Sequence, residues 1–514
     1  MGGDGGELDP PMEGLQSKGL KKGSVSLIGA VAIGLAATAP AYSLTGALGH
    51  GADEVGYQMP IIFVLAVIPM YFVALAYKHL TDAAPDAGTV FTWGSKAIQP
   101  HIGWIGGFAL TLSSVLAGVG AAGVVVNAVS ALLGVDPAPL GDQPPAQPEW
   151  MKILIAGAFI ILTTWLVVRG AEESSRATVI LTVLQYGGLM LFAAILGINI
   201  LREHHNPTAE PFSWQWFNPF AISSVSALLG GFLVAVFIYW GFDASLSMSE
   251  ETKGTPAQSG RSGVTAIMIT VITYVAFSVA ALAYAGVDDN SPGSLTNQAS
   301  IDDIFSSLAR DAVGPAGAVV AALIIGLSAF SATLSTVMST VRGVLSMATY
   351  KALPGRFASV DDVRQTPTFA TWFIGLTTLA IYAGLVMVSD SIVEDTVYSV
   401  GIAIMTYYSV VAISSVFYFW DTAFSHWRTA LEQVILPAIA ALILIPVGVI
   451  QAYQMAKPDS VSSGSLAGIG TVFIIGVLSL FLGVLLMIFW NLKSPAFFRG
   501  ETLPPERAHR TGPQ

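Results

Sequence analysis

The sequence predicts an all-α polytopic membrane protein with twelve transmembrane helices. Two observations predict this fold class. Charged residues are scarce, and the uncharged stretches form twelve long apolar runs. Lysine and arginine fall mostly into alternate loops between those runs, which is the pattern that sets the orientation of membrane helices.

Composition separates the chain from soluble proteins. Of its 514 residues, 54% are hydrophobic and 11% are charged, whereas a soluble domain carries about 25% charged residues. The chain has no cysteine, which excludes disulfides, thiolate metal sites and cysteine nucleophiles. No trio of nucleophile, base and orienting acid stands at membrane depth. We therefore expect no enzyme activity, metal, cofactor or nucleic-acid partner, and the lipid bilayer as the surrounding medium.

The apolar runs give the predicted spans. A helix needs about 20 apolar residues to cross a hydrocarbon core of about 30 Å. The shortest run is long enough if Lys152 and Arg169 at its two ends extend to the interfaces. In chain order the predicted spans are 25–49, 59–77, 103–134, 153–168, 177–201, 221–242, 264–287, 315–341, 368–389, 396–420, 433–455 and 465–490.

Charge in the loops predicts the orientation. With the N-terminus inside, 18 lysines and arginines lie in inside segments and 4 lie outside, namely Lys152, Arg202, Arg310 and Lys457. We expect both termini in the cytoplasm. The lack of cysteine and the richness in alanine and glycine suit the plasma membrane of a bacterium. Of the 33 acidic residues, 16 lie in outside segments and 16 in inside segments, and the remaining one is Asp243.

Five segments follow from this topology. The first 24 residues are polar and glycine-rich, and the first apolar run is long enough to stay in the membrane, so no cleavable signal peptide is expected. The predicted segments are a disordered cytoplasmic tail (1–24), a first repeat of spans one to five (25–201), a second repeat of spans six to ten (221–420), spans eleven and twelve (433–490) and a second cytoplasmic tail (491–514).

Asp243 is the acidic residue that lies at membrane depth. It directly follows the apolar run 221–242. A carboxylate there costs at least about 2.5 kcal/mol, so it usually faces a cavity or a partner. Two interpretations stay open. Asp243 is either a site for a substrate ammonium group or a proton, or a structural acid that accepts hydrogen bonds from backbone amides.

Spans one and six are interrupted by small residues, proline and glycine. The interruptions lie at 33–40 and 239–245. Interruptions at corresponding positions of two halves point to a binding site near the bilayer midplane. Because each half has five helices, the second half enters from the opposite side, and the repeat is inverted. The alternative is that both spans are proline-kinked packing helices.

Several segments carry a family resemblance. Together they resemble the amino acid–polyamine–organocation transporters, over most of the first ten spans. The segments are Pro85 to Phe91 with Gly103 and Gly106, Arg169-Gly170 with Ser174 and Arg176, Trp216 to Phe220, Gly241-Phe242-Asp243 with Glu250-Glu251-Thr252 and Pro256, and Arg342 with Met347, Leu353-Pro354 and Pro367.

The resemblance implies a LeuT-like fold of two inverted five-helix repeats with two extra C-terminal helices. It also implies alternating access around spans one, three, six, eight and ten. The substrate carboxylate would meet amides of span one, its ammonium group would meet carbonyls of span six, and an aromatic residue would close over it. The substrate-binding residues implied in this sequence are Gly34, Ala36, Ala37, Thr38, Phe237, Gly241, Phe242 and Asp243.

Three positions depart from the family pattern. Gly34-Leu35-Ala36 replaces Gly-Ser-Gly, and Thr349-Tyr350-Lys351 replaces an arginine with Asp-Gly. Gln185 stands where some proton-coupled relatives have a lysine, and a neutral amide cannot carry a proton. Gln185 and Asp243 are the coupling candidates, and the sequence leaves open whether a proton or sodium is coupled.

Three functions are weighed. The leading expectation is a secondary active transporter, a permease that moves an amino acid by alternating access, coupled to an ion gradient or to exchange. The second is a transporter of a polyamine or another organic cation, which Asp243 favours. The third is a membrane sensor or channel on the same scaffold.

Other signals are discounted. Gly118 to Gly123 fits the dinucleotide-binding pattern, but no strand precedes it, so it indicates close helix packing. We expect His204 and His205 to be solvated, and the acidic loop 288–311 to be a wet surface. The proline-rich segment 136–149 is either an ordered outer lid or a linker.

Overall fold

The computed structural model describes residues 15–133, 148–298, 301, 303–387, 392–457, 465–466 and 468–506. The α-helices are α1 (Leu27–Ala37), α2 (Pro40–Val55), α3 (Met59–Ala83), α4 (Val90–Ala97), α5 (Pro100–Leu132), α6 (Glu149–Val168), α7 (Ala171–Leu201), α8 (Val225–Phe237), α9 (Pro256–Ala285), α10 (Ile304–Val313), α11 (Pro315–Thr349), α12 (Thr368–Val386), α13 (Ile392–Ala423), α14 (Trp427–Ala430), α15 (Leu436–Met455) and α16 (Thr471–Lys493). A π-helical turn, Leu431–Ile435, joins α14 to α15.

Short elements connect the helices. Strands β1 (Ser465–Leu466) and β2 (Ile469–Gly470) form one antiparallel pair before α16. Most of the proline-rich segment 136–149 lies outside the described residues, and so does Asp302 of the acidic loop. The 3-10 helices are Gly56–Gln58, Trp214–Phe217, Pro219–Ala221, Phe242–Met248 and Gly355–Ala358.

Eleven helical stretches in the described ranges are long and apolar enough to cross a membrane. This confirms the all-α polytopic class. The first stretch, Leu27–Ala83, has 57 residues. As one straight helix it would reach about 85 Å at about 1.5 Å per residue, and the turn Gly56–Gln58 divides it. The count of twelve spans, with α1–α2 and α3 as the first two, and the inverted repeat both stay predictions.

The first interruption lies between α1 and α2. Pro40 opens α2 at its first position, where the missing N–H costs no hydrogen bond. The residue before a proline is disfavoured in the right-handed helical region, and Ala39 takes φ 45° and ψ 61°. The break therefore falls at Thr38 and Ala39. Gly34, Ala36 and Ala37, expected in the unwound stretch, are helical, because Pro40 sets the position of the break.

The second interruption lies between α8 and the 3-10 helix Phe242–Met248. Helix α8 ends at Phe237, and Gly241 has φ 108°, a value that glycine adopts without strain. Asp243 is the second residue of the 3-10 helix. The structure thus confirms that spans one and six are both interrupted.

The interrupted helices lie in the middle of the bundle. Helix α1 packs against α7, α9 and α11, and the 3-10 helix Phe242–Met248 packs against α1, α9 and α11. Around them, α3 packs along α9, while α5 packs along α11 and α13. Non-helical backbone at membrane depth is tolerated only where protein or a cavity covers it, and this arrangement provides that cover.

Both tails dock at one end of the bundle. Lys18 and Leu20 of the N-terminal segment are buried, so the expected disorder does not hold for these two residues. In the C-terminal segment, Phe497 and Leu503 are buried, and Glu506 pairs with Lys96 at 2.5 Å. The two segments therefore cover the ends of several helices on the side where the prediction places the cytoplasm.

Candidate functional site

Hydroxyl groups surround the break between α1 and α2. The Thr38 Oγ1 donates to the Leu35 carbonyl at 2.8 Å, which covers one carbonyl at the end of α1. The Tyr186 hydroxyl of α7 lies 3.2 Å from Thr38 Oγ1 and 3.0 Å from Thr270 Oγ1 of α9. The end of α1 is thereby tied by side chains to two neighbouring helices.

The two breaks touch each other. A Cβ atom built on Gly241 would lie 2.6 Å from the carbonyl carbon of Ala37. The Tyr274 hydroxyl of α9 lies 2.9 Å from the Ile238 carbonyl oxygen and 3.3 Å from that of Thr38. One side chain of α9 therefore donates to carbonyl groups of both breaks, which lack a helical hydrogen-bond partner.

A small outer cavity lies beside the breaks, with a volume of about 60 Å³. It is smaller than the roughly 300–1,000 Å³ of open small-molecule sites, so binding an amino acid here requires the surrounding helices to move apart. The first turn of α2 reaches it, where the Tyr42 amide donates to Ser328 Oγ at 3.4 Å and the Ser43 amide donates to the Ala39 carbonyl at 2.8 Å. The lining residues are Ala37, Thr38, Ala39, Tyr42, Ser43, Ala117, Ala121, Phe237, Trp240, Ala332, Thr333 and Thr336.

Asp243 is surrounded by three tyrosines. The Tyr408 hydroxyl donates to Oδ1 at 2.8 Å, and the hydroxyls of Tyr407 and Tyr77 donate to Oδ2 at 3.2 and 3.3 Å. Asp243 is 3% exposed. Hydroxyl donors stabilise a buried carboxylate. The arrangement therefore resembles the structural interpretation more closely than an open acid awaiting a cation.

A still smaller inner cavity lies next to Asp243, with a volume of about 10 Å³, which is room for about one water molecule. Five hydroxyl-bearing residues line it, as many as line the outer cavity. The buried hydroxyls of Ser114 and Thr340 have no hydrogen-bond partner within the described part of the chain. The lining residues are Leu110, Ser114, Trp240, Gly241, Asp243, Ala244, Thr336, Ser339, Thr340 and Tyr407.

The structure divides the predicted site residues among three places. Ala37, Thr38 and Phe237 line the outer cavity. Gly241 and Asp243 line the inner cavity.

The remaining three residues, Gly34, Ala36 and Phe242, line neither cavity. A Cβ atom on Gly34 would lie 3.0 Å from the Phe242 carbonyl oxygen, so Gly34 allows the two spans to approach. The Ala36 carbonyl accepts from the Ala39 amide at 3.0 Å, and the Phe242 ring lies 5.5 Å from that of Tyr408. These residues hold the spans together.

Sequence reasoning missed several lining residues. Ala117 and Ala121 are four positions apart, which places them on one face of α5, and both line the outer cavity. Trp240 lines both cavities. Its position directly before Gly241 was the available signal. Tyr407 and Ala332 gave no signal, because tyrosine and alanine within apolar runs are typical of packed helices.

Gln185 links two helices beside this region. It is fully buried, and its Nε2 donates to the Ser331 Oγ at 2.9 Å. Ser331 in turn donates to the Ser328 carbonyl at 3.2 Å. The Oε1 atom of Gln185 has no hydrogen-bond partner within the described residues. Gln185 therefore connects α7 to α11 through Ser331, and neither residue lines the outer or the inner cavity.

A charged cluster closes the end of the bundle where the tails dock. Lys18 Nζ lies 2.7 Å from Asp86 Oδ2 and 2.7 Å from Glu250 Oε1. Asp86 Oδ1 also accepts from Ser346 and Thr92. The N-terminal segment is thus bound both to the loop after α3 and to the segment after the second break.

The charged groups of this cluster shift one another's pKa values. Burial alone would lower the pKa of Lys18, but the Asp86 and Glu250 carboxylates hold it above its ordinary value. Burial would raise the pKa of Asp86, but Lys18 and hydrogen bonds hold it below its ordinary value. Burial raises the pKa of Glu250, which Lys18 opposes and the Asp86 charge reinforces. At neutral pH Lys18 and Asp86 are both charged.

A second ion pair lies one residue further along. Arg342 of α11 pairs with Glu251 through two hydrogen bonds, one of them from Nη2 to Oε1 at 3.0 Å. Both side chains are 1% exposed. The Val25 amide donates to the Glu251 carbonyl at 3.0 Å. The start of α1, the segment after the second break and α11 are therefore joined at this end.

Comparison with known families decides the class of protein. The profile of the family described as amino acid permease matches residues 25–477. The chain belongs to the amino acid permease family. The matched range includes both interrupted spans and the residues that line both cavities. As a member of this family the permease is a membrane transport protein, which confirms the resemblance to amino acid–polyamine–organocation transporters.

Curated relatives of the permease have different cargoes. It is 27% identical to the branched-chain amino acid permease BcaP of Bacillus subtilis, covering 66% of this chain and 70% of that protein. It is also 27% identical to the methylthioribose transporter of Bacillus subtilis, with the same coverage of both chains. Identity to the low-affinity putrescine importer PlaP of Escherichia coli is 25%, over 45% of this chain and 47% of the importer.

Proposed function

We propose that this permease is a secondary active transporter that moves a neutral, apolar amino acid across the plasma membrane by alternating access. The outer cavity at the two helix breaks is the observation that carries the proposal. It combines the first turn of α2 with small and aromatic side chains. Gly34, Ala36 and Phe242 support the site by packing the two spans together, while Ala37, Thr38 and Phe237 form its wall.

The polar part of an amino acid fits one side of the outer cavity. The N-terminus of a helix favours an anion, because the helix dipole is positive there. Tyr42 and Ser43 lie in that first turn and line the cavity. The substrate carboxylate would lie against them. Carbonyl groups at the second break would lie near the ammonium group.

The apolar part fits the opposite side. Ala117 and Ala121 of α5 and Ala332 of α11 leave room, while Phe237 and Trp240 add aromatic surface. These walls carry no charged side chain. A cationic side chain buried there would be unpaired, at a large energetic cost. An aliphatic side chain is therefore favoured, and the branched-chain permease among the relatives agrees with this.

A polyamine is the alternative cargo. The putrescine importer among the relatives favours it, and so does the carboxylate of Asp243. However, Asp243 already accepts hydrogen bonds from three tyrosines, and it lines the inner cavity and not the outer one. The amino acid is for this reason the proposed substrate.

We propose that coupling of transport to an ion gradient does not involve a proton on Gln185. Its amide is neutral and is held by Ser331. Sodium, a proton at another residue such as Asp243, or exchange would then drive transport. Replacing Gln185 by alanine should leave uptake largely intact, since Ser331 keeps its bond to the Ser328 carbonyl. Loss of uptake in Gln185→Ala would show that Gln185 is needed for coupled transport.

Uptake into proteoliposomes tests the proposal. Labelled leucine should accumulate under a proton or sodium gradient, or by exchange against internal leucine. Unlabelled isoleucine should compete, whereas putrescine and arginine should not. Competition by putrescine together with failure of leucine to accumulate under all three conditions would contradict the proposal and favour the amine.

A further inference from the structure

Trp240 separates the outer cavity from the inner one. The outer cavity reaches Thr38 and Phe237, and the inner cavity reaches Asp243 and Thr340. Among the lining residues, Trp240 and Thr336 are shared by both. Thr336 lies on the uninterrupted helix α11, whereas Trp240 lies in the turn at the second break. The indole is therefore the larger and more movable part of the partition.

Hydrogen bonds hold the indole in place. The indole Nε1 of Trp240 donates to the Tyr407 hydroxyl at 2.5 Å. An indole N–H can only donate, so the Tyr407 oxygen accepts this bond and its own proton is available to Asp243. The Tyr407 hydroxyl lies 3.2 Å from Asp243 Oδ2. The order Trp240 to Tyr407 to Asp243 is fixed by the chemistry of the groups.

Tyr407 is itself held firmly. It is fully buried on α13, and its ring lies 4.6 Å from that of Tyr408. Tyr408 contacts the opposite carboxylate oxygen of Asp243 and accepts from the Gly241 amide at 3.3 Å. The carboxylate thus fixes two adjacent tyrosines, and one of them fixes the indole.

The inner cavity is prepared for polar atoms. The hydroxyls of Ser114 and Thr340 are 3% and 1% exposed as residues, and neither has a partner within the described residues. An unpaired buried hydroxyl destabilises the structure that holds it. Water or the polar groups of a passing substrate would satisfy both hydroxyls. The helices that carry them, α5 and α11, also line the outer cavity.

We propose that Trp240 is an internal gate between the outer cavity and the inner cavity, and that Tyr407 and Asp243 are positioning residues that keep it closed. The inner cavity has room for about one water molecule here, and it would widen into the next station of the amino acid once the indole moves. This inference rests on the proposed function, because it assumes that cargo passes between the two cavities. Asp243 acts here through Tyr407 and does not bind the ammonium group.

The absence of cysteine from the sequence allows a direct test by single-cysteine labelling. Ser114→Cys places a thiol in the inner cavity, and Ser43→Cys places one in the outer cavity. Intact cells are treated with a membrane-impermeant methanethiosulfonate. The labelling rate of Ser114→Cys is divided by that of Ser43→Cys, and this ratio is the normalised labelling rate. Thr340→Cys serves as a second inner reporter if Ser114→Cys fails to fold.

Tyr407→Phe keeps the ring but removes the acceptor of the indole bond. The normalised labelling of Ser114→Cys should rise about fivefold, the factor for losing one ordinary hydrogen bond. Tyr77→Phe is the matched control, because it also removes a hydroxyl from Asp243 but leaves the bond between Trp240 and Tyr407 in place. Its normalised rate should equal that of the parent.

Equal rates in Tyr407→Phe and the parent, or equal increases in both tyrosine variants, would overturn the gate. Labelling requires neither substrate nor transport. Failure of leucine uptake with the expected labelling pattern would therefore count against the proposed substrate alone, and normal uptake with unchanged labelling would count against the gate alone.

Discussion

Gly241 lies directly against the backbone of Ala37, so that a Cβ atom at Gly241 would lie 2.6 Å from both the carbonyl carbon and the carbonyl oxygen of Ala37. Gly241 also has φ 108°. The two interrupted spans therefore meet through backbone at this point, with no side chain between them. A change in the first break can therefore reach the second one directly through this contact.

Gly241→Ala should abolish transport and lower stability. The positive φ costs about 1–2 kcal/mol for a residue with a Cβ atom, and the contact with Ala37 adds a steric clash. Thermal unfolding in detergent and leucine uptake measure both effects. Gly187→Ala on α7 is the control, because nothing lies within 4 Å of a Cβ atom there. Wild-type uptake by Gly241→Ala would show that the contact is not needed.

Glu251→Gln should destabilise the permease strongly. It leaves the buried guanidinium of Arg342 without a charged partner, and breaking one side of a buried pair costs about 3–5 kcal/mol. Thermal unfolding in detergent measures the loss. The control is Lys21→Ala, which breaks the exposed pair with Glu172 and should leave the melting temperature unchanged. Similar melting temperatures for the two variants would mean that the buried pair contributes little.

Glu250 should make stability depend on pH. Its pKa is raised above 4.5 in the folded protein, chiefly by burial, so the folded state holds its proton more firmly than the unfolded state. The stability that the folded protein gains from this proton is fully present below pH 4.5. It is lost as the pH rises through the raised pKa of Glu250. Lys18, Asp86 and Tyr350 are the other titratable groups that meet there.

The comparison of wild type with Glu250→Gln isolates this effect. The melting temperature of the wild type, relative to the variant, should rise as pH is lowered from 7 toward 4.5. Asp86 contributes no change in this window, because its pKa lies below 3.8 and its stabilisation is lost only under stronger acid. A difference between the two proteins that falls on acidification, or stays constant, would contradict the raised pKa.

The helix breaks could be predicted from sequence because their cause is local. Pro40 and Gly241 impose backbone geometry wherever they occur. The extent of the first break could not be predicted. Gly34 resembles a helix breaker in the sequence, yet it is helical and allows close approach to Phe242. A glycine that serves packing and one that serves a turn look alike without the neighbouring helix.

The environment of Asp243 could not be predicted because its partners are remote. Tyr77, Tyr407 and Tyr408 lie more than 160 positions away in the sequence, and each stands in a stretch that reads as packed helix. The same holds for Lys18, which reads as part of a polar tail but is buried between Asp86 and Glu250. Contacts of this kind depend on which helices become neighbours.

The most direct test of the account is leucine binding to purified permease with its outer cavity filled. Ala332→Leu adds a side chain to the cavity wall, and crowding of this kind costs about 1–3 kcal/mol. Ala316→Leu, at an exposed position of the same helix, is the control. We predict binding weakened about 5- to 150-fold in the first variant, the range that about 1–3 kcal/mol corresponds to, and wild-type binding by the second. Wild-type leucine affinity in a correctly folded Ala332→Leu protein would contradict the assignment of the cavity as the substrate site.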